Sequence, residues 1–379
     1  MAISDHTHAP RPSLSDRFYA WRTALLGSRA FQRAAARAPF AARVARKDGE
    51  ALFDLVAGFV HSQVLRSFVD LDMATRLADR PKRAEELALE AGLPPERMRV
   101  LCQAAASLNL MRRRRDGRYA LGRLGAALPG IPGLAQMITH HDVLYRDLED
   151  ATAFFTDGSG TELAEFWPYV FGATGDVSAE TAETYSELMA ESQTLVAEEA
   201  LRVVDLKGVT TLLDVGGGTG AFLTAAGLAN PGLHLHLFDL PVVADGAAAR
   251  FARNGLTERS TITGGNFRTD AIPADTDALS LVRVLYDHSD ETVRMLLAKA
   301  HAAISDGGRL IVAEPMSGGS RPMRSTDAYF AVYCMAMRTG RVRSAEEIAN
   351  LLIEAGFSDV TPVKTARPFI TSVVTARKS

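Results

Sequence analysis

The segment that most constrains this chain is Asp214-Val215-Gly216-Gly217-Gly218-Thr219-Gly220, directly after the apolar run TTLL. A short apolar run bounded by glycines reads as a buried strand. Glycines at that point let the backbone turn tightly and approach a bound group before a helix opens. Nineteen residues beyond Gly220, after LHLHLF, stands Asp239, followed by Leu240. A carboxylate there can accept both hydroxyls of a ribose. Because Ala221 also completes a GxGxxA pattern, the glycines alone would admit a nicotinamide enzyme. Asp214 points elsewhere: ahead of the glycines, it can engage the positively charged amino-acid portion of S-adenosylmethionine.

From Val209 onward, short apolar segments alternate with helical patterns: TTLLDVG, LHLHLFDL, STITGGNF, ALSLVRVL and GRLIVAEP. That alternation predicts a parallel sheet covered by helices on both faces. DVTPVKTA and PFITSVVTARK follow with no helix between them, and read as a terminal antiparallel pair that a plain dinucleotide fold does not require. The strand end Gly264-Gly265-Asn266-Phe267 is placed to hold adenine, with Asn266 bonding the base and Phe267 covering its face. Glu314 falls at the carboxyl end of LIVAE, where open α/β sheets bind ligands.

With 379 residues the chain has room for about two domains. We expect a basic arm over 1–50, a dimerisation domain over 51–130, a helical connector over 131–200 that contributes to a substrate pocket, and a cofactor-binding catalytic domain over 201–379. In the second segment, AEELALEAGL and PERMRVLCQAAASLNL are separated by Gly92 and Pro94, as in a helix-turn-helix. Asp116-Gly117 then marks a hairpin turn, which completes the pattern of a winged helix. Two distant cysteines, Cys102 and Cys334, exclude a disulfide scaffold or a CxxC metal site. No metal site is expected.

The net charge of −3 conceals an uneven distribution. Residues 1–50 hold nine basic and four acidic residues, a balance of +5, leaving −8 for the remainder. Over 16–47, arginines interleave with Phe18, Trp21, Leu25, Phe31, Phe40 and Val44, as in a helix that lies on an anionic bilayer. No uninterrupted apolar run has the length of a membrane span, and the N-terminus lacks a secretory pattern. The expected place is the cytoplasm, with peripheral contact at the inner membrane.

Taken together, LLDVGGGTG, HLFDLP, GGNF, VRVLYDHSDE, GGRLIVAEP and GRVRSAEEIANLLIEAGF resemble the small-molecule O-methyltransferases that join a winged-helix dimerisation domain to a Rossmann-like catalytic domain. The resemblance covers roughly 50–379. It is closest to the bacterial demethylspheroidene (hydroxyneurosporene) O-methyltransferases, through FDLVAGFVHSQVL, HHDVLYRDLED, FWPY, VRVLYDHSDET and RPFITSVVTARK. It implies a homodimer that uses S-adenosylmethionine, held by Asp214, Gly216, Gly218, Gly220, Asp239, Leu240, Asn266, Phe267 and Arg283. The implied substrate is the tertiary 1-hydroxyl of an acyclic carotenoid.

In the class at large, a catalytic histidine precedes the aspartate of the segment matching Leu285 to His288. Here that position is Tyr286, with His288 two residues later, and a second acidic position near GRVRS is Val342. A tertiary alcohol is too weak an acid to ionise beforehand, so its proton should leave late. Tyr286, His288 and Glu314 are the expected catalytic group. An apolar channel between the domains is expected to hold the polyene, lined by Phe166, Trp167, Tyr329 and Tyr333, with His140 and His141 near the hydroxyl. Tyr169, Phe171, Phe330, Met335 and Met337 are further lining candidates. A bacteriochlorophyll-precursor C-methyltransferase is the nearer rival, since that group also departs from the histidine. A winged-helix regulator contacting DNA through Arg112 to Arg115 is the distant one, opposed by the acidic body and the complete cofactor motif. No nucleic-acid partner is expected.

Overall fold

The computed structural model describes residues 13–35, 37, 39–156, 160–166 and 192–379. Its contacts separate two compact units, Met1–Gly122 and Arg123–Ser379.

The first unit is mainly helical: α1 (Leu14–Gly27), α2 (Arg29–Ala35), α3 (Pro39–Asp70), α4 (Met73–Arg76), α5 (Ala84–Ala91) and α6 (Pro95–Ser107), then strands β1 (Met111–Arg113) and β2 (Tyr119–Leu121). Ser13 opens α1 with a capping box to Asp16, which satisfies donors that a helix start leaves free. Gly92 ends α5 at φ 67°, a left-handed conformation that glycine adopts without strain. β1 and β2 pair antiparallel around the Asp116-Gly117 turn, giving the expected wing. Met73, Leu87, Met98 and Cys102 are fully buried beneath it.

One stretch of α3, Ala42–Asp70, is long and apolar enough to cross a bilayer by length and composition, with 11% of its window buried. Asp54, Gly58 and His61 interrupt its apolar run. Its exposed apolar residues Leu52, Leu55, Val56, Phe59 and Val60 recur at helical spacing and form one face.

The second unit opens with short helices α7 (Arg123–Ala127), α8 (Leu134–His140), α9 (Asp142–Asp147), α10 (Ala151–Thr156) and α11 (Glu162–Phe166). The helical residues 192–203 form α12. Then come β3 (Thr211–Val215), α13 (Ala221–Ala229), β4 (His234–Asp239), α14 (Pro241–Arg253), β5 (Ser260–Gly264), β6 (Thr276–Val282), α15 (Asp290–Ala303) and β7 (Ile304–Glu314). A π-helical segment, Arg324–Phe330, runs into α16 (Ala331–Met337), followed by α17 (Ala345–Glu354), β8 (Phe357–Val363) and β9 (Ser372–Lys378).

The seven strands lie in the order β5-β4-β3-β6-β7-β9-β8. β3 to β7 are parallel, whereas β9 runs antiparallel to both β7 and β8. Strand side chains alternate between faces. Leu213, Leu279 and Leu281 therefore pack with α15 and α17 on one side, and Leu212, Leu235 and Leu237 with α12, α13 and α14 on the other. The described part of the connector belongs to this unit: Leu144, Phe154 and Leu163 form a small core with Ala336 and Met337 of α16.

Candidate active site

The carboxyl ends of β3, β4, β6 and β7 carry the predicted site residues. After β3, Gly216, Gly218 and Gly220 adopt φ values of 72°, 60° and 74°. A Cβ on Gly217 would lie 2.4 Å from Asp214 Oδ2, so the turn closes only around a glycine there. Asp214 is fully buried; its Oδ1 accepts from Ser280 Oγ at 2.6 Å, while Oδ2 has no hydrogen-bond partner among the described residues. Burial pushes its carboxyl up to about 7, with the neighbouring Asp239 adding to the shift against the Ser280 hydrogen bond. Asp239, at the end of β4, accepts from the Gly218 and Leu240 backbone N–H groups, both at 2.6 Å. A buried acid with one oxygen left unpartnered beside a glycine turn is chemically complementary to an ammonium group. A second acid held by backbone donors is complementary to ribose hydroxyls.

Beyond β5, Asn266 Oδ1 accepts from Arg268 N at 2.9 Å, which leaves its amide nitrogen to act as a donor. Phe267 is half-buried, and the His288 ring stands edge-on to it at 5.2 Å. His288 Nδ1 is 3.1 Å from Arg268 Nη2, and burial pushes this imidazole down to about 4. The structure thus sets His288 beside Phe267 and Arg268.

At the end of β6, Arg283 takes φ 58°, a left-handed conformation uncommon for a residue with a side chain. Its Nη1 donates to Ser192 Oγ at 2.7 Å, and its Nε lies 3.4 Å from the Tyr286 hydroxyl. A 3-10 turn, Leu285–Asp287, follows. Tyr286 N donates to Glu314 Oε2 at 3.2 Å, across from β6 to the end of β7. Burial holds the Tyr286 phenol well above the usual tyrosine range, and pushes Glu314 up to about 7.

His140 and His141, at the junction of α8 and α9, each bond one tyrosine. His140 Nε2 is 3.0 Å from the Tyr333 hydroxyl, and His141 Nε2 is 2.6 Å from that of Tyr329. Burial keeps both imidazoles neutral, lowering His140 to about 4. Phe330 packs with Tyr286, Cys334 and Val342. Met337 instead belongs to the small core with Leu144, and Met335 is exposed. Phe166 ends α11, its side chain not being described; Trp167, Tyr169 and Phe171 lie outside the described residues.

Three further positions bear on the Leu285–Asp287 turn. Arg343 is fully buried and donates to Leu285 O at 2.8 Å, His288 O at 2.9 Å and Asp290 Oδ1 at 2.6 Å, so it pins both ends of the 3-10 turn. Gly340 lies directly against the backbone of Tyr286 to His288. Asp287 has a buried Oδ1 without a hydrogen-bond partner among the described residues. An arginine in GRVRS reads as an exposed charge, and no spacing rule reveals that it is buried.

The doubly covered sheet with its antiparallel ending, the glycine turn and the two strand-end acids define an S-adenosylmethionine-dependent methyltransferase. The chain belongs to the O-methyltransferase family: the O-methyltransferase domain matches residues 145–358, and the O-methyltransferase dimerisation domain residues 53–129. It is 56% identical to the demethylspheroidene O-methyltransferase of Cereibacter sphaeroides over 93% of both chains. Identity to the Rhodobacter capsulatus enzyme of the same name is 50%, over 90% of this chain and 85% of that one. The S-adenosylhomocysteine-bound structure of CalO1, a methyltransferase of calicheamicin biosynthesis, superposes with a TM-score of 0.69 at 25% identity, covering 88% of this chain and 98% of that one.

Proposed function

We propose that this O-methyltransferase acts on the tertiary 1-hydroxyl of an acyclic carotenoid of the demethylspheroidene or hydroxyneurosporene type. The 56% identity to an enzyme so named, sustained over 93% of the chain, carries the reading. The replacement of the class's histidine by Tyr286 supports it, because a tertiary alcohol is not ionised before the methyl group arrives.

S-adenosylmethionine, when bound, supplies a methyl group on a sulfonium already activated for in-line displacement. In this reading Asp214 holds the ammonium end, Gly216 to Gly220 bring the backbone close, and Asp239 with Leu240 engages the ribose. Asn266 and Phe267 flank the adenine, with His288 bracing the Phe267 ring and Arg283 closing the inner side. Glu314 fixes the Tyr286 backbone, and Tyr286 orients the substrate oxygen; alignment of this kind supplies much of the rate in displacement reactions. The His140–Tyr333 and His141–Tyr329 pairs, together with Phe166 and Trp167, bind the hydroxylated end. Purified protein incubated with S-adenosylmethionine and a 1-hydroxycarotenoid should yield a product heavier by one methyl-for-hydrogen exchange. No such gain, under conditions where calorimetry shows the cofactor bound, refutes the substrate assignment.

We further propose that the apolar face of α3 is covered by a second copy, giving a homodimer. Leu52, Leu55, Phe59 and their neighbours stand at or inside the matched dimerisation domain and are 64%, 65% and 70% exposed in the single chain. The arm ahead of it suits a different neighbour. Leu14, Phe18, Trp21 and Leu25 fall on one stripe of α1, with Arg17 and Arg22 at ~70° on either side for 3.6 residues per turn. Leu14, Phe18 and Trp21 are 83%, 62% and 60% exposed. Apolar insertion flanked by guanidinium groups suits an anionic bilayer surface. Flotation with phosphatidylglycerol vesicles, lost on Phe18→Ser with Trp21→Ser and on raising the salt, is the expected result. Equal flotation of the double variant would refute this part.

A further inference from the structure

We propose that Asp287 is the catalytic residue that takes the proton from the substrate hydroxyl, in the place left open by the missing histidine. The proposal rests on the carotenoid-alcohol reading above. It comes from asking which group at the carboxyl ends of β6 and β7 has an atom available for a proton.

Most of the candidates are engaged. Both pocket imidazoles have Nε2 in hydrogen bonds to tyrosine hydroxyls, His140 to Tyr333 and His141 to Tyr329. His288 faces Arg268 and Phe267. Tyr286 is a neutral phenol that receives Arg283 Nε on its oxygen. Its proton is too tightly held for the phenolate to serve as a base. Two carboxylates then remain, each with one oxygen lacking a hydrogen-bond partner among the described residues: Asp287 Oδ1 and Glu314 Oε1. Exposure separates them. Glu314 is wholly buried, with its other oxygen receiving Tyr286 N, whereas Asp287 is half-buried as a residue, although its Oδ1 is itself buried.

The surroundings of Asp287 fit the role. Its charge acts on Tyr286, and on Tyr333 and Cys334 of α16. Arg283 at the end of β6 and Glu314 at the end of β7 act on it in turn. The turn that presents it is immobilised: Arg343 bonds Leu285 O and His288 O, Glu314 bonds Tyr286 N, and Gly340 packs against its backbone. A general base must be held within hydrogen-bond reach of the proton it removes, and a rigid turn does this better than a free loop.

The step balances as follows. As the substrate oxygen forms its bond to the methyl carbon, the pair of the carbon–sulfur bond returns to sulfur. The O–H bond breaks and its proton passes to the Asp287 carboxylate, from which solvent later removes it. The carboxylate must therefore be ionised when the alcohol binds. Burial pushes Asp287 up to about 8, opposed by Arg283 and reinforced by Glu314. Its facing groups are Arg283 from β6, Glu314 from β7, and Tyr333 with Cys334 from α16.

The test compares wild type with Asp287→Asn, Asp287→Glu and Tyr286→Phe. We expect Asp287→Asn to lower kcat by roughly 10²–10⁴-fold, the usual contribution of a positioned base, with cofactor affinity within about threefold of wild type by calorimetry. Wild-type kcat/KM should fall as pH drops below the Asp287 titration, a limb that persists in Tyr286→Phe and disappears in Asp287→Asn. Partial rescue by Asp287→Glu is expected. Turnover of Asp287→Asn near wild type, with the limb intact, overturns the proposal. If wild type binds cofactor yet methylates no 1-hydroxycarotenoid, the substrate reading falls and infrared spectroscopy decides on Asp287. A carboxylic-acid band that titrates on the alkaline side of neutrality and is missing from Asp287→Asn supports it; absence of that band from wild type overturns it.

Discussion

Gly340→Ala tests how rigidly the Leu285–Asp287 turn must be held. A Cβ at 340 would lie 2.3 Å from His288 N, 2.3 Å from Tyr286 O and 2.5 Å from the Asp287 carbonyl carbon. These are backbone atoms, so no rotamer change relieves the contact. Even 3.0 Å, a distance below which Cβ contacts essentially never fall, requires a displacement of 0.7 Å. The turn cannot simply retreat, because Arg343 holds Leu285 O and His288 O, and Arg343 is itself locked by Asp290. Forcing a methyl group into such a space costs about 1–3 kcal/mol. A shift of this order, approaching 1 Å, is enough to reduce turnover by roughly 10²-fold. Expected, then, are a kcat reduced by one to two orders of magnitude, as read by product mass analysis, and a fall in Tm of roughly 2–10 °C. Cofactor affinity should be nearly unchanged, since the β3 turn is untouched. Gly319→Ala, where a Cβ meets nothing within 4 Å, is the control and should be silent. Wild-type turnover and Tm in Gly340→Ala would refute the clamped turn.

Three more outcomes follow from the same geometry. Asp214 has a folded pKa of about 7, above the 3.8 of an ordinary aspartate, so the native state holds its proton more tightly than the unfolded chain does. Cofactor-free stability, measured as Tm across a pH series, should therefore fall as pH rises from about 4 to 7 and then flatten; Asp214→Asn should abolish that slope. Gly217→Ala would drive a Cβ to within 2.4 Å of Asp214 Oδ2 and 2.5 Å of Leu237 Cδ1, and should weaken S-adenosylmethionine binding at least tenfold by calorimetry, about 1.4 kcal/mol. Arg367→Met removes the Nε donor 2.8 Å from the wholly buried Glu199, leaving it Arg202 and the backbone N–H of residue 367. Losing one charged hydrogen bond to a buried carboxylate costs about 1.5–3 kcal/mol, visible as a lowered Tm that Glu199→Gln in the same chain should partly restore.

Much of this architecture was legible because the signals are local. The strands from β3 to β7 follow from apolar runs with alternating helices, and the antiparallel β8 and β9 from the missing helix between them. Asp214 and Asp239 were legible for the same reason: a carboxyl at a strand end next to glycines is a short-range pattern. His140 and His141 with Tyr329 and Tyr333 were named as candidates, but the one-to-one hydrogen-bonded pairing joins residues 188 and 193 positions apart and required the fold. The surroundings of His288 were not legible, because its contacts with Phe267 and Arg268 join residues about 20 positions apart and required the fold. Arg343 and Asp287 went unrecognised for a related reason. Charged residues are ordinarily exposed, and only the three-dimensional packing shows one buried under the 3-10 turn and the other without a partner for its buried oxygen.

The place of β9 has a consequence for how this molecule can be made and handled. The last strand, Ser372–Lys378, is inserted between β7 and β8 and pairs with both. Val373 and Val374, near its start, are buried in the cores on opposite faces of the sheet. β8 joins the rest of the sheet only when β9 pairs with both of its neighbours. Until it does, β7 offers an open, apolar edge on which another chain could pair. The sheet is thus completed only when residues 372–378 are in place. Loss of a few C-terminal residues should behave as the removal of an interior strand, while loss of the N-terminal arm leaves the sheet intact.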